Sequence, residues 1–111
     1  MPNPDQVYDE AIGLKEAGKL DEAVAKLEEL AESEPDFALA HAALSVFYAN
    51  LDRHDEAVEQ AQKVCDLEPD DPFSFVAMSM TCQKAGKLAQ AEQALSLAME
   101  KQWTERTPPG G

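Results

Sequence analysis

The amino-acid sequence repeats itself at a fixed spacing, and this repetition limits the chain to a small set of folds. Three short segments return at one or two steps of a single period of about 34 residues, a spacing typical of stacked helical repeats. The recurring segments are AGKL at 17–20 and 85–88, DEAV at 21–24 and 55–58, and EPD at 34–36 and 68–70. Because the three pairs share one register, we expect a stack of similar units rather than one irregular core.

Each unit is predicted to contain two helices. Apolar residues recur at helical spacing, and no segment shows the sustained alternation of a strand. Gly18 and Gly86, with Asp52 at the matching place of the middle unit, stand where a helix ends in left-handed backbone. The predicted helices are 4–17, 21–33, 38–51, 55–67, 72–85 and 89–102.

These units resemble the tetratricopeptide repeat family, whose unit is a helix–turn–helix of about 34 residues. The small residue that the family has early in its second helix is matched by Ala23, Ala57 and Ala91. The proline that closes its unit is matched by Pro35 and Pro69, and Trp103 replaces it in the third unit. The resemblance implies an all-α fold, a right-handed superhelical solenoid of three antiparallel helix–turn–helix hairpins. A single domain is expected over 4–103, with repeats at about 4–37, 38–71 and 72–105 and a disordered C-terminal tail at 104–111.

The charge of the chain excludes several classes of partner. The 111 residues include 22 acidic and 9 basic side chains, which gives a formal net charge of −13 at pH 7. Nucleic acids and anionic membrane surfaces attract clustered Lys and Arg, so neither is an expected partner. No apolar run is long enough to span a membrane, and the first residues lack the basic and apolar regions of a secretory signal. We therefore expect a cytoplasmic protein.

The sequence carries no motif that predicts catalysis, a metal or a cofactor. Cys65 and Cys82 lie on different predicted helices without further ligands at the spacing of a zinc site. They are expected to be buried or half-buried free thiols. His41 occupies the tryptophan position of the family and is expected to pack. No Ser-His-Asp set, phosphate-binding loop or HExxH motif is present, so we predict a protein that is not an enzyme.

A candidate binding surface lies on the first helices of the units, which line a concave groove in the family that the chain resembles. The predicted helices 38–51 and 72–85 are apolar nearly all round, so one face would pack on the second helices and the other would remain open. The expected partner-binding residues are Leu39, Ala42, Ala43, Val46, Phe73, Val76, Ala77 and Met80. The alternative interpretation is that the small residues here only permit close packing of helices.

The first unit differs because its predicted groove face is acidic. Asp5, Asp9 and Glu16 form this acidic groove end, so a fitting ligand is an apolar or amphipathic protein segment with Lys or Arg near one end. Alternatively, Asp5 and Asp9 complement the N-terminus of their helix.

One function of the family is excluded by the residues present. Members that bind chaperones hold a C-terminal carboxylate with a clamp of Lys, Asn and Arg side chains. The matching positions here are Tyr8, Ile12, Ala43, Phe73 and Val76, of which only Tyr8 has a side-chain donor. We therefore predict that the chain is not a carboxylate-clamp partner of chaperones.

The outer face of the last unit needs a cover. The apolar residues expected there are Leu88, Ala91, Leu95, Ala98 and Met99. Either Trp103 folds back over this face or a second copy covers it. The second possibility makes a self-associating homodimeric scaffold the alternative to an adaptor that binds peptides.

Overall fold

The computed structural model describes residues 3–106, and it describes side chains up to Trp103. It contains six helices, and no strand occurs within the described residues. The helices are α1 (Pro4–Glu16), α2 (Leu20–Ser33), α3 (Ala38–Asn50), α4 (His54–Leu67), α5 (Pro72–Lys84) and α6 (Leu88–Arg106). Every predicted helix is present, and all predicted ends but one agree with the observed ends to within one residue.

The first helices of the first and third units, α1 and α5, each begin with a side-chain cap followed by proline. The Asn3 side chain accepts a hydrogen bond from the backbone amide of Gln6 at 2.9 Å, and the Gln6 side chain accepts one from the amide of Asn3 at 3.1 Å. At the start of α5, the Asp71 carboxylate accepts from the backbone amide of Phe73 at 3.0 Å. These bonds satisfy amides that have no partner within a helix, and so they fix where α1 and α5 begin.

The turn inside each hairpin has the same geometry in all three units. Gly18, Asp52 and Gly86 have positive φ values of 81°, 59° and 77°. The amide that follows each of these residues donates a 2.8 Å bond to the carbonyl five positions earlier, as Arg53 does to Tyr48. This pattern ends the first helix of each unit and reverses the chain. The left-handed turn predicted at Asp52 is therefore confirmed.

The hairpins stack in chain order. The helices α1 and α2, α3 and α4, and α5 and α6 form antiparallel pairs, while α2 packs on α3 and α4 packs on α5. The small residue of each second helix lies fully inside its hairpin, at Ala23, Ala57 and Ala91. In the middle unit the Ser45 hydroxyl also donates a 3.0 Å bond to the carbonyl of Ala57, which joins α3 to α4. The result is the predicted solenoid, with extents of 48 × 33 × 22 Å.

The last helix differs from the prediction. It runs to Arg106 instead of ending near 102, because Trp103 stands where Pro35 and Pro69 stand at the ends of the other units. Residues 104–106 of the expected tail therefore continue α6, and residues 107–111 lie outside the described part of the chain. None of the helices in residues 3–106 combines the length and apolar character that crossing a membrane requires.

Candidate functional site

The expected groove residues of the second and third units lie along one side of the stack. Their larger side chains are between 50% and 71% exposed, and they are Leu39, Val46, Phe73 and Met80. The smaller residues between them are half-buried or exposed, and they are Ala42, Ala43, Val76 and Ala77. The four positions on α3 match the four on α5 one repeat later, and together we call these eight residues the groove floor.

The groove floor is exposed because α3 and α5 turn their opposite faces toward the core. Ala40, Leu44 and Tyr48 of α3 are buried, as are Met78 and Cys82 of α5. Both helices are thus apolar on the packed face and on the open face. Between them they carry a single charged side chain, Lys84.

A shallow depression marks the junction of α3 and α5. Its volume is about 130 Å³, and it is lined by Ser45, Val46, Ala49, Ala77, Met80, Thr81 and Lys84. Val46, Ala77 and Met80 belong to the groove floor, whereas the other four were not predicted. Of these four, Lys84 could have been predicted as a groove residue from the sequence. It lies two repeats after Glu16, and so it occupies the same position in its unit.

The first unit presents acidic side chains on the corresponding face of α1. Asp5, Asp9 and Glu16 are all exposed. Asp5 lies in the first turn of α1, where a carboxylate complements the helix N-terminus, whereas Asp9 and Glu16 lie beyond that turn. The helix-terminus interpretation therefore accounts for Asp5 and leaves Asp9 and Glu16 as acidic groups on the groove side.

The charges along the groove change sign from one end to the other. Glu16, Asn50 and Lys84 occupy the same position in the three successive units. The acidic groove end lies on α1, the α3 segment is uncharged, and a basic side chain ends α5. This face of the stack therefore presents negative charge at α1 and positive charge at α5.

His41 is part of the core. The side chain is buried, with Nδ1 2.7 Å from the Gln60 side-chain oxygen and Nε2 2.8 Å from the carbonyl oxygen of Pro35. It ties α3 to α4 and to the turn before α3. Because both ring nitrogens are engaged inside the fold, His41 has the packing role that its place in the repeat predicts.

The two cysteines are free and buried. The Cys65 thiol donates to the carbonyl of Ser74 at 3.3 Å. Burial, aided by the nearby Asp66 carboxylate, raises the pKa of Cys65 to about 11, and burial also raises the pKa of Cys82. Since the thiolate is the reactive form, both groups are weak nucleophiles near neutral pH. Within residues 3–106, no group of three or more His, Cys, Asp or Glu side chains is arranged to hold a metal ion.

A second apolar surface lies on the outer side of α6. Leu88, Leu95, Met99 and Trp103 are between 44% and 71% exposed, and we call this set the end face. Ala91 and Ala98, also expected on this surface, are buried. Trp103 is the most exposed of the four, so the interpretation that it folds back to cover the last unit is wrong.

The comparisons with known proteins agree with this architecture. A family model described as a tetratricopeptide repeat matches residues 8–72, which is more than half of the chain. One MamA crystal structure has a TM-score of 0.86 at 16% identity and covers 98% of this chain and 60% of its own. Another has a TM-score of 0.83 at 17% identity, with coverage of 94% and 61%. No curated protein sequence matches the chain.

A smaller solved domain is similar over nearly its whole length. The second TPR of Spaghetti (RPAP3), bound to the HSP90 peptide SRMEEVD, has a TM-score of 0.76 at 19% identity. The match covers 86% of this chain and 89% of that domain. This chain spans about three fifths of the MamA chains cited above. At such identities these similarities establish the fold.

Proposed function

The chain belongs to the tetratricopeptide repeat family, and on that premise we propose that it is a non-catalytic protein-interaction module. Its groove holds an amphipathic segment of another protein, with apolar anchors on the groove floor and a basic end at Asp9 and Glu16. The observation that carries this proposal is the exposure of Leu39, Phe73 and Met80 in one strip along α3 and α5.

The groove floor has the size and composition of an interaction surface. Exposed apolar side chains at matching positions of two adjacent helices form a strip on the order of a few hundred Å², a scale at which a patch is often functional. Burying such a strip is favourable by about 25 cal/mol per Å² of apolar area. The solenoid scaffold holds the strip in place, so a partner does not have to order it on binding.

The charge pattern selects the kind of segment. Asp9 and Glu16 favour Lys or Arg at the α1 end, and Lys84 favours an acidic or neutral residue at the α5 end. The uncharged stretch between them favours apolar anchors at helical spacing or on alternate residues of an extended segment. The same pattern favours one direction of the segment, with its basic end at α1.

Acidic peptides of chaperones do not fit this groove. The Spaghetti domain is bound to SRMEEVD, in which acidic residues outnumber basic ones. In this chain Ala43, Phe73 and Val76 occupy clamp positions and offer no side-chain donor, and the net charge is −13. We therefore propose a different class of ligand, without a carboxylate clamp.

Catalysis is not part of the proposed function. The buried thiols are protonated near neutral pH, and His41 is engaged on both nitrogens inside the core. Both cysteines are free, which fits the reducing cytoplasm that we propose as its compartment.

A designed peptide tests the proposal directly. The probe is a labelled amphipathic peptide with Leu anchors at helical spacing and a Lys cluster at one end, and binding is measured by fluorescence anisotropy at low and high salt. Replacing Met80 with Lys on the groove floor should abolish binding, because it places a charge beneath the apolar anchors. Reversing Asp9 and Glu16 to Lys should weaken binding severalfold at low salt and less at high salt.

Two controls make the result specific. Glu59→Lys makes the same charge reversal on α4, away from the groove, and should leave the affinity unchanged. A peptide with Glu in place of the Lys cluster should bind more weakly than the original. Binding that Met80→Lys does not affect, or failure of the Lys-tagged peptide to bind, would overturn the proposed function.

A further inference from the structure

The end face of α6 is a regular stripe. Leu88, Leu95, Met99 and Trp103 follow one another at steps of seven, four and four positions, which places them on one side of the helix. Since α6 is continuous from Leu88 to Arg106, the stripe is straight and extends along most of the helix.

The earlier units show what normally covers this surface. Leu95 matches Leu27 in the first unit and Ala61 in the second, and both of those residues are at most 3% exposed. Met99 matches Cys65, which is equally buried and contacts α5 through its bond to Ser74. Ala61 and Cys65 pack with the buried side of α5. Leu95 and Met99, at the centre of the end face, therefore lie on the side of a second helix that this architecture buries under another helix.

The described part of the chain does not supply that helix. In the first two units the chain turns at Pro35 and Pro69 and returns as the next hairpin. In the third unit, α6 continues straight through the matching position, Trp103, to Arg106. Within residues 3–106, the end face therefore has no covering helix.

The opposite end of the stack does not fit the end face. The Lys26 ammonium lies 2.8 Å from the Glu10 carboxylate on the outer side of the first unit. The residues that match Glu10 in the other units are Leu44 and Met78. Head-to-tail stacking of two copies would bury this ion pair against apolar side chains, which costs more than it gains. The N-terminal end is thus a polar cap, and the apolar end has no counterpart there.

The end face of a second copy, unlike the polar N-terminal end, is apolar and has the same shape, so it is a suitable counterpart. The chain is strongly acidic, but α6 has three acidic and two basic residues, so contact through α6 brings little like charge together. The four side chains expose on the order of 500 Å² of apolar surface per copy, so a symmetric contact buries about 1,000 Å², the lower bound for a specific interface.

We propose that the protein forms a two-fold symmetric dimer in which the end faces of two antiparallel α6 helices pack against each other. The contact is isologous and therefore closes at two copies. The groove floor lies on α3 and α5 and stays open in this dimer, so each assembly presents two grooves. Dimerisation through α6 is separate from peptide binding in the groove, and either can fail without the other.

The test uses the single tryptophan of the chain as a reporter. Sedimentation equilibrium and tryptophan emission are measured over a wide range of protein concentration. We expect a monomer–dimer equilibrium, with Trp103 emission moving to shorter wavelength along the same isotherm as the indole leaves water. Met99→Lys should raise the dimer Kd by about tenfold or more, because it buries an unpaired charge at the contact.

Met80→Lys is the matched control, since it makes the same substitution at a similarly exposed methionine of the groove floor. It should leave the dimer Kd unchanged. Leu88→Lys provides a second end-face variant if Met99→Lys does not fold, as judged by circular dichroism. A monomer at every concentration, growth beyond two copies, or a dimer broken by Met80→Lys but not by Met99→Lys would overturn the proposal.

Discussion

The phenolic hydroxyl of Tyr48 donates a 2.6 Å hydrogen bond to the carboxylate of Glu28 and so joins the first two hairpins. The Tyr48 ring is buried, and the Arg53 guanidinium lies 4.4 Å from its centre. Burial and the neighbouring carboxylate raise the pKa of Tyr48 well above its usual value. The phenol therefore remains protonated and able to donate this bond near neutral pH.

Replacing Tyr48 with Phe should therefore weaken the stack. We expect a loss of about 1.5–3 kcal/mol in the free energy of unfolding, the usual range for a hydrogen bond to a charged acceptor, as measured by urea denaturation. Glu28→Gln should destabilise the protein in the same direction, whereas Glu32→Gln removes the same charge one turn later and should not. Equal effects of the two Gln variants would show that charge, rather than this bond, governs stability.

Asp52 is the one residue other than glycine with positive φ among the described residues, at 59°. The matching residues of the other units are Gly18 and Gly86. Left-handed backbone costs a residue with a side chain about 1–2 kcal/mol, and the larger entropy of unfolded glycine offsets about 0.4–1 kcal/mol of the gain. Asp52→Gly should therefore stabilise the fold by about 0.5–1 kcal/mol.

Thermal and urea unfolding measure this gain. Asp52→Asn is the control, because it removes the same negative charge and keeps a side chain at the position. Gly86→Ala makes the opposite change and should destabilise by a similar amount. If Asn and Gly stabilise equally, the relief of acidic repulsion explains the gain and the backbone does not.

The turns and helix starts were predictable because they depend on short-range rules. A capping residue followed by proline, as at Asn3 and Asp71, starts a helix through bonds to amides within the first helical turn. The left-handed residue in each hairpin turn ends a helix through bonds that are equally short in sequence. The end of α6 was not predictable in the same way. The first strong helix breaker after Lys101 is Pro108, so the sequence between them does not specify a stop.

The sequence predicts which helix face carries the groove floor, but it does not predict the shape of that surface. The repeat period alone places Leu39 and Phe73 on the same face without any knowledge of the coordinates. By contrast, the depression that includes Ala49 and Thr81 depends on the distance and angle between α3 and α5, which residue types alone do not determine. That these residues bind a partner stays a prediction.

Stability should fall at alkaline pH partly because of Cys65. Its pKa is raised from 9.0 to about 11 in the folded chain by burial. Below pH 9 the thiol is protonated in both states, and its contribution to stability is complete. Between pH 9 and pH 11 the unfolded chain loses this proton first, so stability decreases, by up to about 3 kcal/mol.

Chemical denaturation at a series of pH values measures this slope. Cys65→Ala introduces the residue type that Ala31 supplies at the matching position of the first unit. This substitution should reduce the decrease in the free energy of unfolding between pH 9 and pH 11, while the contribution of Cys82 stays the same in both proteins. Identical slopes for the two proteins would show that the thiol ionises no later in the folded chain than in the unfolded one.

The polar cap at the N-terminal end should prevent open-ended stacking of copies. Glu10→Leu together with Lys26→Ala replaces the ion pair with the residue types of later units, since Leu44 matches Glu10 and Ala94 matches Lys26. The altered end then resembles the surface that packs against a second helix. Because a head-to-tail contact does not close on itself, we expect assemblies larger than two copies, detected by light scattering.

This growth should depend on the end face of α6. Adding Met99→Lys to the double variant should stop it, because each new contact would bury that charge. Glu59→Leu removes a carboxylate from α4 without changing either end of the stack and should leave the size of the assembly unchanged. A double variant no larger than the original protein would mean that the shape of the N-terminal end, and not its Glu10–Lys26 pair, keeps copies from stacking.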